Sequence, residues 1–197
     1  MKRFLFIATL SIVLASCAAS RPIKYYRIEV PAPARAAGAN AVLNVALQVG
    51  NIESPPIMRD GRILYQVGSH EVGAYEYHRW VETPDRIVQD SLVRMLRASG
   101  RYQSVDTQRS SIRADYIVLG KIYEFAEIDK PDIYTRVSLE IELHDAKSNR
   151  TVWSKLYTDE EMAGKQMPDV VESLDKNLRR GLTEIVAGID QYLTSAK

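Results

Sequence analysis

The side chains that could perform chemistry are few, and Cys17 is the first of them. The 197-residue chain contains one cysteine, so its thiol has no partner within the chain for a disulfide or for a CxxC zinc or redox site. The histidines are His70, His78 and His144, and they form no HExxH motif. The alternation of apolar and polar residues over 134–144 predicts a strand with His144 on its exposed polar face. GxSxG, Walker A and GxGxxG motifs are also absent. We therefore expect no metal site, no bound cofactor and no enzymatic activity.

Four carboxylates lie close together in the sequence where a predicted strand ends: Glu124, Glu127, Asp129 and Asp132. Paired carboxylates serve as acid and base in many hydrolases. Charged side chains at strand ends are, however, far more often merely solvated. We favour a solvated strand end and keep a hydrolase as a remote alternative.

The first seventeen residues are organised as an export signal. Met1-Lys2-Arg3 is cationic, and the residues from Phe4 to Ala15 are almost uninterruptedly apolar. This stretch is shorter than the roughly 20 apolar residues of a transmembrane helix. The pattern predicts a signal peptide over residues 1–16.

Leu14, Ala15 and Ser16 before Cys17 resemble a bacterial lipobox, in which they are the positions recognised by the lipoprotein signal peptidase. Cys17 would then carry a covalent diacylglyceryl group and an N-acyl chain and become the mature N-terminus. Each buried acyl CH₂ contributes about 0.8 kcal/mol, so several chains on one residue anchor a protein stably. The alternative is an ordinary buried cysteine, but the coincidence of all these signals favours lipidation.

The residue after the cysteine indicates which membrane holds the anchored protein. Ala18 stands where an Asp would signal inner-membrane retention, and by resemblance to Gram-negative lipoproteins this implies the inner leaflet of the outer membrane, facing the periplasm. Residues 17–23 form the lipidated N-terminus and a short tether, of which the stretch after Cys17 spans at most roughly 20 Å. The folded domain, residues 24–197, is therefore expected close to the membrane.

Charge and composition exclude some partners. Lys and Arg number 26 against 25 Asp and Glu, which leaves a formal charge of +1. Such a chain has no overall basic field for nucleic acid. Its length and its 46% hydrophobic content suit one compact domain.

Hydrophobic periodicity predicts an α+β domain, with a mostly antiparallel sheet and two amphipathic helices packed on one face. Thr83-Pro84 begins the first helix and Gly100 ends it, and Pro168 opens the second. Asp60-Gly61 predicts a hairpin turn between 57–58 and 63–65. The other predicted strands are 25–30, 42–49, 72–77, 102–105, 116–128, 134–144 and 151–157, the last two forming an antiparallel hairpin.

An aromatic segment precedes the first helix. Core packing is the favoured role for Trp80, but aromatic residues beside arginine are also typical of protein interfaces. Strand alternation would direct Tyr75 and Tyr77 inward and His78 outward. The candidate partner interface consists of Tyr75, Tyr77, His78, Arg79 and Trp80.

Taken in order along the chain, several short stretches match a known family. They are Cys17 in its lipobox, Tyr25-Tyr26-Arg27-Ile28, Leu43-Asn44-Val45, Ile63-Leu64-Tyr65, the stretch from Tyr75 to Pro84, the helix with Leu92 and Leu96, and Gly100 to Val105. Together they resemble the auxiliary lipoproteins of ABC-type transport systems, a group that includes the lipoprotein of the paraquat-inducible operon. The resemblance covers essentially the whole mature chain.

The resemblance implies a non-enzymatic, periplasm-facing component that docks on a mammalian-cell-entry (MCE) domain protein and its ABC permease and ATPase. It also implies transport of lipid or another hydrophobic compound between membranes, and homo-oligomerisation. The main alternative is an outer-membrane assembly lipoprotein or an activator of a cell-wall synthase. A lipoprotein hydrolase is the remote alternative.

Overall fold

One sheet of eight strands and two long helices make up the described parts of the chain, which are residues 21–30, 43–107 and 113–196 of a computed structural model. The strands are β1 (Lys24–Tyr26), β2 (Leu43–Glu53), β3 (Arg62–Val67), β4 (Glu71–Trp80), β5 (Tyr102–Thr107), β6 (Tyr116–Asp129), β7 (Ile133–Asp145) and β8 (Arg150–Met162). The helices are α1 (Pro84–Ser99) and α2 (Met167–Ser195). The α+β prediction is confirmed; the signal peptide, the lipobox and Cys17 lie outside the described residues.

The sheet is organised around β6. One side of β6 pairs antiparallel with β7, which in turn pairs antiparallel with β8. The other side is shared, because β2 runs parallel to the first half of β6 and β3 runs parallel to its second half. Strand β5 extends the sheet from β2, and β4 and β1 extend it from β3. The sheet is therefore mixed, with its two longest pairings antiparallel.

The predicted hairpin at Asp60-Gly61 does not form between 57–58 and 63–65. Pro56–Met58 is instead a short 3-10 helix, which suits proline because its missing N–H is not needed there. The turn itself is present: Gly61 has a φ of 74°, and the Asp60 carboxylate accepts a hydrogen bond of 3.0 Å from the Arg62 backbone N–H. It leads into β3, whose antiparallel partner is β4.

Both helices begin where the sequence predicts. Thr83 occupies the N-cap position of α1 with Pro84 in its first turn, although the Thr83 side chain makes no capping hydrogen bond. Gly100 ends α1 in the left-handed conformation, with a φ of 61°. At the start of α2, the Asp169 carboxylate accepts a hydrogen bond from the Gln166 backbone N–H at 3.3 Å. Local capping chemistry thus sets the helix boundaries.

The core lies between the helices and one face of the sheet. Its most completely buried strand is β7, which contributes Val137, Leu139, Ile141 and Leu143. Helix α2 approaches β8 closely at Gly181, where a Cβ atom would come within 2.6 Å of the Tyr157 ring. The opposite face of β6, β7 and β8 carries no helix in the described structure and is mainly polar. The predicted one-sided packing of the two helices is confirmed.

Candidate partner-docking site on strand β4

Strand β4 contains a bulge that decides where its aromatic side chains point. Arg79 pairs with Arg62 and Ala74 pairs with Leu64, so residues 75–78 of β4 lie opposite a single residue of β3. Bulges of this kind redirect side chains that regular alternation would place elsewhere. The predicted separation of Tyr75 from His78 is therefore wrong, because their rings meet edge to face with centroids 5.5 Å apart.

The bulge assembles an aromatic cluster, which we define as Tyr26, Tyr65, Tyr75 and His78. All four side chains are half-buried. The Tyr65 and Tyr75 ring centroids are 4.9 Å apart, and those of Tyr26 and His78 are 5.5 Å apart. Such ring pairs are each worth about 0.5–1.5 kcal/mol beyond their buried area. The cluster thus presents partly exposed rings whose positions are already fixed.

A hydrogen bond within the cluster joins the edge strand to the sheet. The Tyr26 hydroxyl of β1 and Nδ1 of His78 in β4 are 2.9 Å apart. Partial burial lowers the pKa of His78, and the positive charge of Lys24 lowers it further. The imidazole therefore stays neutral to a pH below its ordinary pKa, in the form whose unprotonated nitrogen can accept the phenol hydrogen.

A buried carboxylate lies beneath the cluster. Glu127 of β6 is 7% exposed, and the Tyr75 hydroxyl lies 3.0 Å from both of its carboxylate oxygens, to which it donates. Burial raises the pKa of Glu127, against the lowering effect of this hydrogen bond. Burial also raises the pKa of Tyr75, and the Glu127 charge adds to it. The neutral Tyr75 phenol therefore supplies the hydrogen-bond donor that the buried Glu127 carboxylate requires.

The neighbouring carboxylates do not converge on Glu127. Glu124 points to the other face of the sheet, where it forms an ion pair of 2.8 Å with Arg136. Asp129 and Asp132 are exposed. Among the residues that the structure describes, no group of metal-ligating side chains comes together. The arrangement contains no carboxylate pair of the kind a glycosidase-type hydrolysis requires.

The histidines outside the cluster are separate from it. His70 is exposed in the turn between β3 and β4. His144 is less exposed than predicted, with 17% of its side chain accessible, because its Nε2 lies 2.7 Å from the Glu142 carboxylate. Neither one adds a ligand or a base to the aromatic cluster.

The other candidate interface residues occupy two further places. Trp80 is 3% exposed, and its ring centroid lies 5.6 Å from that of Phe125 in β6, so Trp80 belongs to the core. Arg79 is directed to the opposite face, where its Nη1 donates to the Asp60 backbone oxygen at 3.2 Å. Tyr77 lies beside Arg79 on that same face. Tyr75 and His78 alone join the cluster.

The sequence analysis did not include Tyr26 and Tyr65 in the site. Tyr26 reaches it because β1 pairs in parallel with the last residues of β4, matching Lys24 with His78 and Tyr26 with Trp80. Tyr65 reaches it through the pairing of β3 with β4 and β6. Both pairings connect segments that are distant in the sequence, so local patterns could not predict them. The high density of tyrosines near these strands was the only local sign of the cluster.

Partly exposed, preorganised aromatic rings on a sheet are typical of a domain that binds another macromolecule. The comparison with protein families agrees with this class. The model of the ABC-type transport auxiliary lipoprotein component matches residues 26–186. The chain therefore belongs to this family, which confirms the resemblance inferred from its sequence and makes it an auxiliary lipoprotein of ABC-type transport.

Solved structures share the fold. A crystal structure of a protein from Xanthomonas campestris is 20% identical, with a TM-score of 0.77 over 88% of this chain and 99% of its own. An uncharacterised protein is 14% identical, with a TM-score of 0.67 over 86% of this chain and 99% of its own. A hypothetical protein from Chlamydia trachomatis is 10% identical, with a TM-score of 0.55 over 78% and 99%. At these identities the likeness shows the fold alone.

No protein with a curated description matches the sequence. Within residues 21–30, 43–107 and 113–196, neither long helix is apolar enough over a sufficient length to cross a membrane.

Proposed function

We propose that the protein is a lipid-anchored accessory subunit of an ABC transport system built around an MCE-domain protein. Acyl chains on Cys17 hold it in the inner leaflet of the outer membrane, from which the folded domain faces the periplasm. There it assists the movement of lipid or another hydrophobic compound between the membranes. The observation that carries the proposal is the family match over residues 26–186.

The aromatic cluster is the surface that we assign to docking. Its rings already contact one another, so binding a partner would cost little side-chain entropy. Val67, which is 39% exposed and lies two residues after Tyr65 on the same face of β3, extends the apolar surface at the nearby end of the β3–β4 hairpin. Preformed aromatic anchors with an apolar margin are the usual centre of a protein interface. The expected partner surface is therefore an apolar, partly aromatic patch of the MCE protein.

Co-purification tests the proposal. The lipidated protein, tagged after Lys197, is isolated from membranes and its companions are identified by mass spectrometry. We expect the MCE protein together with its permease and ATPase. Recovery of cell-wall synthases or outer-membrane assembly factors instead would contradict the proposal and favour the main alternative.

A pair of variants tests the docking surface separately. Tyr65→Ala and His78→Ala each remove a ring of the cluster, and a central aromatic anchor is worth about 2 kcal/mol or roughly thirtyfold in Kd. Tyr123→Ala is the matched control, because Tyr123 is 41% exposed on β6 outside the cluster. Reduced recovery of the MCE protein with both cluster variants, measured well below the unfolding temperature of each, supports the assignment. Equal recovery with all three variants refutes it.

Homo-oligomerisation remains a separate prediction from the family resemblance. Sedimentation of the detergent-solubilised lipidated protein measures it, and a single monomeric species would contradict it.

A further inference from the structure

The β1 edge of the sheet carries exposed apolar and aromatic side chains on the face opposite the aromatic cluster. Ile23 is 44% exposed and Tyr25 is 62% exposed. Tyr25 pairs with Arg79 across the β1–β4 ladder, so both point away from the core side that their neighbours Tyr26 and Trp80 occupy. Tyr77 lies two residues before Arg79 on the same side. These residues form one continuous surface.

One positive charge lies at this surface. Within the part of the chain that the structure describes, Arg21 takes part in no ion pair, whereas Arg27 is paired with Glu29 at 3.6 Å. Lys24 pairs with His78 and therefore lies on the face of the aromatic cluster. The charge of Arg21 lies close enough to act on the Tyr77 hydroxyl. Glu76, whose charge also acts on that hydroxyl, is the nearest carboxylate on β4. The surface therefore combines a tyrosine pair, an apolar residue and the unpaired cation Arg21.

The position of this surface along the chain is the second observation. Residues 17 to 21 span at most roughly 14 Å even when fully extended. Acyl chains on Cys17 would thus bring the β1 edge to the membrane before any other part of the described domain. Tyrosine side chains favour the headgroup level of a bilayer, and each basic residue near an anionic leaflet strengthens binding about fivefold.

We propose that the β1 face, defined as Arg21, Ile23, Tyr25 and Tyr77, lies against the headgroups of an anionic phospholipid leaflet and fixes the orientation of the domain. This inference rests on the lipid anchor of the proposed function. Because the aromatic cluster lies on the other face of the same strands, this orientation turns the cluster toward the periplasm. The lipid surface and the partner protein then occupy opposite sides of β4.

Tryptophan quenching in vesicles tests the orientation. The mature lipidated protein carrying Tyr25→Trp is reconstituted into vesicles containing brominated lipid, once with phosphatidylethanolamine and phosphatidylglycerol and once with phosphatidylcholine alone. Leu156→Trp is the matched control, because Leu156 is 60% exposed and lies on β8 at the other edge of the sheet. Both sites are exposed, so neither substitution disturbs the core, and the native Trp80 and Trp153 provide the same background in both variants.

We expect bromine quenching of Tyr25→Trp that is stronger with phosphatidylglycerol than with phosphatidylcholine, and no quenching of Leu156→Trp in either. Adding Arg21→Glu to Tyr25→Trp should abolish the difference between the two lipid mixtures. Equal quenching at both edges, or none at Tyr25→Trp, overturns the inference and leaves the β1 face for a protein partner.

Flotation with the vesicles and the mass of the acylated N-terminus check the anchor independently. A protein that is acylated and floats but shows no quenching refutes only the docking of the β1 face. A protein that is not acylated and does not float refutes the anchor as well.

Discussion

Replacing Trp80 with alanine should destabilise the domain substantially. The ring is 3% exposed and packs against Phe125, and truncation of a buried tryptophan costs about 3–5 kcal/mol. Its Nε1 has no hydrogen-bond partner among the described residues, so the loss comes from packing alone and we expect about 3–4 kcal/mol. This is a large part of the roughly 5–15 kcal/mol that stabilises an ordinary domain.

Thermal unfolding followed by circular dichroism measures the effect. For a domain of this size, about 3–4 kcal/mol corresponds to a fall in Tm of about 6–16 °C. Trp80→Phe keeps a ring against Phe125 and removes the unpartnered Nε1, so it should lose less than half as much. Tyr77→Ala is the control on the same strand, because Tyr77 lies outside the core, and its Tm should stay close to that of the wild type.

One result would refute this assignment of Trp80. If Trp80→Ala keeps the wild-type Tm but no longer recovers the MCE protein, the indole acts at an interface rather than in the core.

Three further predictions concern other parts of the molecule. Burial raises the pKa of Glu127 above the ordinary 4.5, so its contribution to stability is present below that value and is lost as the pH rises through the raised one. Glu127→Gln keeps an acceptor for Tyr75 and does not ionise, so its stability relative to the wild type should increase as the pH rises above 4.5, the ordinary pKa of the carboxyl group. A pH-independent difference in denaturant unfolding would contradict this. Gly181→Ala should lower the urea concentration at which half of the protein is unfolded. The added Cβ overpacks against Tyr157 at a cost of about 1–3 kcal/mol, which outweighs the gain in helix propensity of about 1 kcal/mol. An unchanged or higher midpoint would show that the Tyr157 ring can move aside. Cys17→Ala should leave an unacylated protein that neither fractionates with membranes nor complements a deletion, and full complementation by a soluble form would argue against the anchor.

The helices and the β6–β8 part of the sheet could be predicted because their signals are local. Thr83-Pro84 and Gly100 mark both ends of α1. The alternation along β7 identifies one buried and one polar face, and the turn before β8 contains Asn149 with a φ of 51°, a conformation that asparagine tolerates better than most residues.

The pairing of β1 and the bulge in β4 could not be predicted, because both depend on contacts between distant segments. A three-residue strand carries too little pattern to reveal its partner. An alternating pattern also cannot show where extra residues are inserted, and an insertion reverses which side chains share a face. The prediction for Tyr75 and His78 was wrong for this reason.

The close packing at Gly181 and the burial of Glu127 are each weakly indicated by the sequence, but hydrophobic periodicity does not identify the contacting residue. Gly181 lies on the apolar face of α2 between Leu178 and Leu182, and a glycine inside a helix often marks close packing. Glu127 is flanked by Ala126 and Ile128, which indicates burial of its carboxylate but does not identify Tyr75 as its donor. The partner in each case comes from a different strand.

The most direct test of the central claim is the amount of MCE protein recovered from membranes with each equivalent of the tagged, lipidated chain. The proposed docking predicts that wild-type protein recovers the MCE protein with its permease and that His78→Ala recovers far less at a temperature at which the variant remains folded. Recovery of other envelope proteins in its place, with no MCE protein in the wild-type sample, would contradict the account.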